Sequence, residues 1–333
     1  MKRSLIFFLI FVVLLAACAQ QPAVQEPAAQ PDTGQSSEAQ PAASEGEGEP
    51  FYVFLPKGLD NPYWDACRKG MDAKAAEMGV KAEFLGPAVS DAVKQVEIFE
   101  SVISRKPAAI AVSPNDPKTV EESIARAMDA GIPVITWDAD APDSQRILYI
   151  GTDNVAAGRT AGETLAELIG GKGKVAILHG ALTALNAQQR VQGFEEALAN
   201  YPDIEIVATE PTEDSPETAL SKAEALLQAH PDLAAFYGVT GVGVPGAAGA
   251  VKQANKCGDV KVVGFDVVPQ GIEFMRAGCV DALISQRPYG MTAEALEILV
   301  DLSQGKTMDT TNIDTGVEVV YPDGLEEFLQ TDH

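Results

Sequence analysis

The sequence is poor in aromatic residues, in positive charge and in histidine, and each shortage narrows what the chain does. Aromatics make up 6% of its 333 residues, and tryptophan occurs only as Trp64 and Trp137. Lysine and arginine number 24 against 48 aspartates and glutamates, a formal charge of −24. A phosphate backbone selects basic surfaces, so this balance argues against a nucleic-acid partner. The three histidines, His179, His230 and His333, lack metal-ligand spacing, and neither a metal nor another cofactor is expected. No G-x-S-x-G stands in the chain, which removes the nucleophile elbow of one hydrolase class. What is present, 46% hydrophobic and 22% charged residues, suffices for two lobes with sizeable cores.

The beginning of the chain is read apart from the fold. Lys2-Arg3 form a positive start, and Leu5 to Leu15 an apolar run too short to cross a bilayer as a lasting helix. Leu15-Ala16-Ala17-Cys18 follows. This resembles a bacterial lipobox, which implies cleavage before Cys18, diacylglycerol on its sulfur, and an exported protein anchored on the outer face of the cytoplasmic membrane or held in the periplasm. Residues 1–18 are thus expected to be a lipoprotein signal, and residues 19–50, rich in Gln, Pro, Ala, Ser and Glu, a disordered tether. A coil of that length reaches roughly 30 Å.

From Phe51 onward, short apolar runs alternate with stretches of helical periodicity, which predicts parallel sheets wrapped by helices. Strands are expected at 51–55, 81–85, 108–112, 132–140 and 148–151. A second series follows at 174–178, 204–209, 234–239, 261–265 and 282–285. Two successive series of similar size predict two similar doubly wound α/β lobes, with the chain crossing between them near Asp153. A helix at 289–303 and a strand at 313–320 complete the chain.

The stretch Ile132-Pro133-Val134-Ile135-Thr136-Trp137-Asp138-Ala139-Asp140 reads as a buried strand that delivers an aromatic ring and carboxylates at its carboxyl end. Ligands of open α/β sheets sit just outside that end, so Trp137, Asp138 and Asp140 are candidate cleft residues. Other strands end likewise, in Ser113, Thr240, Asp266 and Gln286. Asn61, Tyr63 and Trp64 follow the first strand, and Arg190 lies near the start of a helix. Carboxylates, amides and a forked guanidinium make charge-assisted bonds to hydroxyls, while aromatic faces cover the C–H side of a ring. The mixture suits a neutral polyol.

Asn61-Pro62-Tyr63-Trp64, the stretch around Asp138, Thr152-Asp153-Asn154 and Val262-Val263-Gly264-Phe265-Asp266 resemble the periplasmic sugar-binding proteins of the ribose-binding type, solute receptors of ABC importers. The resemblance runs from Phe51 to about Asp323. It implies a periplasmic binding protein type I fold, with lobes of 51–153 plus 287–314 and 154–286 plus 315–333, joined by three crossovers near Asp153, Arg287 and Thr315. It implies ligand roles for Asn61, Tyr63, Trp64, Asp138, Arg190, Asp266 and Gln286, a permease as partner, and a monomer without catalysis. The pattern departs from ribose binders at Ala139-Asp140, at Thr240-Gly241, at Ser113, near Asp214 and at Lys57, which takes the place of a small hydroxyl residue. Another monosaccharide, a deoxysugar or a cyclitol is therefore expected.

Two other readings compete. Gly241-Val242-Gly243-Val244-Pro245-Gly246 matches the dinucleotide fingerprint G-x-G-x-x-G and would fit an NAD-dependent oxidoreductase, but it lies late in the chain. A receptor feeding a membrane sensor would use the same closing shape as an importer's receptor. Cys67 falls on the buried face of a helix. Cys257 and Cys279 each precede a strand; they form a disulfide if those strands are neighbours in an exported protein, and otherwise remain thiols in adjacent loops.

Overall fold

A computed structural model describes residues 49–330. The signal and lipobox, including Cys18, the tether up to residue 48, and His333 lie outside the described residues. The first series runs β1 (Phe51–Leu55), α1 (Tyr63–Met78), β2 (Lys81–Phe84), α2 (Ala92–Ser104), β3 (Ala109–Val112), α3 (Pro117–Asp129), β4 (Val134–Trp137) and β5 (Tyr149–Gly151). The second runs α4 (Asn154–Leu168), β6 (Lys172–His179), α5 (Leu185–Leu198), β7 (Asp203–Pro211), α6 (Pro216–Ala229), β8 (Leu233–Gly238), α7 (Gly243–Gln253), β9 (Lys261–Phe265), α8 (Pro269–Arg276) and β10 (Ala282–Ser285). The chain ends in α9 (Pro288–Ser303), β11 (Asn312–Asp314), β12 (Glu318–Val320) and α10 (Leu325–Phe328).

Two six-stranded sheets result, in the orders β11-β5-β4-β3-β1-β2 and β12-β10-β9-β8-β6-β7. Strands such as β3 and β4 are buried at every residue, as expected where helices cover both faces of a parallel sheet. Each face carries its own apolar core. In the first lobe, α1 and α9 cover one face around Phe54, Trp137 and Leu299, and α2 and α3 the other around Phe99 and Ile124. In the second, α4 and α5 pack around Phe194 and Tyr237, and α6, α7 and α8 around Phe236 and Val251.

Local chemistry sets the helix starts. Asp91 accepts from the backbone N–H of Val93 and Lys94, Asp116 from Lys118, Asp153 from Ala156, and Ser215 from Thr218. Such N-caps satisfy donors that the first turn leaves free. Pro117 and Pro216 add a preset φ at the first helical position.

The chain passes between the sheets at residues 152–153, 286–287 and 315–317. The strand expected at 313–320 is two strands. Gly316, at φ 72°, breaks it, β11 pairs parallel with β5 and β12 antiparallel with β10. Period-2 patterning cannot show such a change of sheet, because both halves still alternate. Cys257 and Cys279 are bonded, with Cα atoms 4.5 Å apart and a sequence separation of 22. A bridge over a loop of that size contributes about 3 kcal/mol. Cys67 is buried and unbonded. Among the described residues, no helix is long and apolar enough to cross a membrane.

Candidate functional site

The carboxyl ends of the two sheets face one another across a cavity. Lys57, Asn61, Tyr63, Trp64, Ser90 and Asp138 line it from the first lobe, and Asn186, Arg190, Asp214, Thr240, Gly241 and Asp266 from the second, with Gln286 at a crossover. Its free volume is about 30 Å³, room for little more than a water. Small-molecule sites usually hold ~300–1,000 Å³, so a ligand enters only as the walls part.

The backbone aims the acids. Asp138 leaves β4 at φ 61° and Asp266 leaves β9 at φ 74°, and these two strands occupy equivalent places in their sheets. A left-handed conformation is costly for a residue with a Cβ, of order 1 kcal/mol or more. Here it turns each carboxylate off the sheet and into the cleft. The Tyr149 hydroxyl holds the first of these turns by donating to the carbonyls of Asp138 and Thr152, at 3.1 and 3.0 Å. Asp214, in a third left-handed turn at φ 54°, accepts from the Thr240 hydroxyl at 2.9 Å.

Arg190 is the hub of the second lobe. It is brought to the cleft by close packing of α5 on α4, where a Cβ on Gly158 would lie 2.1 Å from the Arg190 carbonyl oxygen. Its guanidinium donates to Asn154 Oδ1 (2.8 Å), to the Val239 carbonyl (3.1 Å) and to Gln286 Oε1 (2.7 Å). It also lies 3.9 Å from the centre of the Phe265 ring, a cation–π contact of a desolvated cation. Gln286 passes the chain on, donating to Asp266 Oδ1 at 2.8 Å. Burial pushes the Asp266 carboxyl up to about 6, and Arg190 and Gln286 oppose the rise.

The first lobe supplies apolar faces and one ammonium. Trp64 and Tyr63 pack edge to face at 5.0 Å, and Trp64 stands on Trp137 at 5.4 Å. Lys57 Nζ donates across the cleft to Asn186 Oδ1 at 2.8 Å and lies 3.9 Å from Asp138 Oδ2. Burial lowers the Lys57 pKa, and Asp138 works against that fall.

Of the residues expected at the site, Asn61, Tyr63, Trp64, Asp138, Arg190, Thr240, Asp266 and Gln286 converge on the cavity. Ser113 stands behind it, donating to Asp138 Oδ2 at 2.6 Å. Trp137 does not reach the cleft. It is fully buried against Phe54, Trp64 and Phe84, because a side chain still within the strand stands over the sheet face rather than beyond its end. Asp140 is also turned away: it receives Arg146 in a bidentate pair, and the Thr136 hydroxyl at 2.6 Å, and pins the loop before β5.

Lys57, Ser90, Asn186, Asp214 and Gly241 complete the lining; Lys57, Asp214 and Gly241 fall where the sequence departs from ribose binders, whereas Ser90 and Asn186 carried no expectation. Asn186 had a legible signal, four residues before Arg190 on one helix face. Gly241 belongs to the G-x-G-x-x-G stretch, whose glycines serve contact and packing. A Cβ at Gly241 would lie 3.0 Å from Asp266 Oδ2 and 3.1 Å from Asn61 Oδ1, one at Gly243 2.8 Å from Gly238 Cα, and one at Gly246 2.6 Å from Ala219 Cβ. The first keeps the lobes able to meet, and the others seat α7 against its sheet and α6.

Comparison with known proteins agrees with this architecture. The periplasmic binding protein domain matches residues 52–307. The D-allose-binding periplasmic protein of Escherichia coli K12 is 30% identical over 259 residues, spanning 75% of this chain and 83% of that protein. A solute-binding protein of an ABC transporter from Burkholderia graminis, solved with D-arabinose, has a TM-score of 0.80 at 37% identity, over 83% of this chain and 96% of that one. GanP, a glucose-galactose binding protein from Geobacillus stearothermophilus, superposes with a TM-score of 0.80 at 35% identity, over 84% and 99% of the two chains. With two like-ordered sheets, three crossovers and a polar cavity between them, the chain belongs to the periplasmic binding protein family.

Proposed function

We propose that this protein is the extracytoplasmic receptor of an ABC importer and binds a monosaccharide or similar polyol between its lobes without altering it. The observation that carries this reading is the convergence from both lobes of hydroxyl-reading groups, Asp138, Arg190, Asp214, Asp266 and Gln286, beside the faces of Tyr63 and Trp64. Relatives named for allose and ribose, and similar structures solved with arabinose and tagatose, support it. The ligand contacts both lobes, so it favours the closed form over the open one. The bodies that close are residues 51–153 plus 287–314 and residues 154–286 plus 315–333, hinged at the three crossovers.

Asp138 and Asp266 accept ligand hydroxyls, Arg190 and Lys57 donate, and Trp64 and Tyr63 flank the ring. The protein acts as a monomer, exported and held to the membrane through acylated Cys18, and its closed form is what the permease reads. Incorporation of labelled palmitate into the wild type but not into Cys18→Ala tests the anchor.

A thermal-shift screen against monosaccharides and polyols tests the ligand class, since a molecule bound only by the native state raises the melting temperature. Calorimetry on the hit then reads the site. Trp64→Ala and Asp138→Ala are each expected to weaken binding at least tenfold, in line with about 1–3 kcal/mol for an unsatisfied buried partner. Unchanged affinity in both variants removes the assignment.

A further inference from the structure

A second space, larger than the sugar cavity, lies against it. Tyr63, Asp266 and Gln286 line both. The cavity between the lobes has about 30 Å³ of free volume and the flanking groove about 380 Å³. Both lobes build the groove: Pro62, Ala66 and Tyr289 come from one, and Val268, Pro269 and Ile272 from the other. These residues give it an apolar wall beside the polar Asp266, Ser285 and Gln286, while Asp65 and Lys69 mark a charged rim on the exposed flank of α1.

The partition between the two spaces is a seam. Tyr63 stands in the first lobe and Asp266 in the second, and the buried Tyr63 hydroxyl makes no hydrogen bond to a described residue of the second lobe. Gln286 is held from the side, by Arg190 at 2.7 Å and Asp266 at 2.8 Å. Nothing in this bonding ties Tyr63 to the opposite wall.

We propose that a substituent on the sugar passes through this seam and lies in the groove, so that the ligand class is a glycoside: a monosaccharide carrying an alkyl or aryl group. The inference rests on the sugar reading of the cavity. The groove's lining dictates the chemistry of the substituent, because an apolar group covering Pro269 and Ile272, which are exposed and half-buried, removes their surface from water. Tyr289 also lines the groove, and an aryl group suits an aromatic neighbour. A free monosaccharide leaves this surface wet.

The test is calorimetry on the full chain with the free monosaccharide found by screening and with both anomers of its phenyl glycoside. One phenyl anomer is expected to bind at least tenfold tighter than the free sugar. Ala66→Trp, a half-buried position on α1, fills the groove from the first lobe and should abolish that preference while leaving the free sugar within twofold. Leu329→Glu, at a groove-lining and exposed position, adds a charge to the groove's edge and should lower the preference without bearing on the fold. Both phenyl anomers binding no tighter than the free sugar, or a preference untouched by both variants, overturns the inference. Failure of every free monosaccharide and polyol to bind removes the sugar reading instead.

Discussion

The two lobes share a strand order and differ in how complete their halves of the cavity are. In the second lobe, Arg190 is already bonded to Asn154, Val239 and Gln286, and Gln286 to Asp266. That network needs no partner from across the cleft; beyond it, Gln286 and Asn154 bond to Thr152 and Tyr149 at the crossover. In the first lobe, Asp138 has Ser113, but among the described residues the Lys57 ammonium finds its hydrogen-bond acceptor across the cleft, in Asn186. The aromatic cluster of Phe54, Tyr63, Trp64, Phe84 and Trp137 belongs to the first lobe alone. One half is thus a prebuilt polar anchor and the other an apolar lid bearing an ammonium satisfied on closure. A cleft divided in this way lets ligand settle on the anchor first, where reorganisation is least.

The largest effect should come from breaking the anchor. Arg190→Ala leaves Asp266 and Gln286 buried without their hub and is expected to cost about 3–5 kcal/mol of stability, the range for removing one partner of a buried charge network. Urea unfolding measures it, and calorimetry should find sugar binding lost. A smaller and opposite change is expected from Asp266→Asn. The Asp266 carboxyl is raised by burial from 3.8 to about 6, so the native state binds this proton more tightly than the unfolded chain. Its contribution is best below pH 4 and falls as pH rises through about 6. The full penalty above that is about 3 kcal/mol, and the variant escapes it. At pH 7.5 Asp266→Asn should therefore melt higher than the wild type, the gain should vanish near pH 4, and sugar affinity should fall.

The smallest effect sharpens the difference between the lobes. Lys57→Met keeps the length of the side chain and removes the cross-cleft bond, worth about 1.5 kcal/mol for a charged donor. Small-angle scattering should show the ligand-free protein shifted towards open forms, while chemical stability changes little. The same scattering on Arg190→Ala separates the two roles. A closed fraction that falls only with Arg190 would reverse the assignment of anchor and lid.

Much of this arrangement is legible before any coordinates. Asp138 and Asp266 stand at strand ends in two similar series, and their chemistry alone marks them as cleft residues. Direction is what the pattern lacks. Trp137 closes β4 and Trp64 follows β1 after a short loop, yet it is Trp64, in the first turn of a helix, that reaches the cleft, while Trp137 lies over the sheet face. Asp138 and Asp140 are two residues apart, and a single left-handed turn sends only the first inward. Lys57 reads as an odd replacement in a loop until Asn186, 129 residues on, is brought to 2.8 Å.

The sequence by itself determined the alternation of strands and helices, the caps that start the helices, and the polar ends that crowd one edge of each sheet. These follow from hydrophobic periodicity and local hydrogen bonding, which act over a few residues. The tertiary structure alone decided which acid faces the cavity, which tryptophan is core, which sheet each half of 312–320 joins, and which groups meet across the cleft. Those outcomes depend on backbone turns and on contacts between residues far apart in the chain, and no local pattern carries that information.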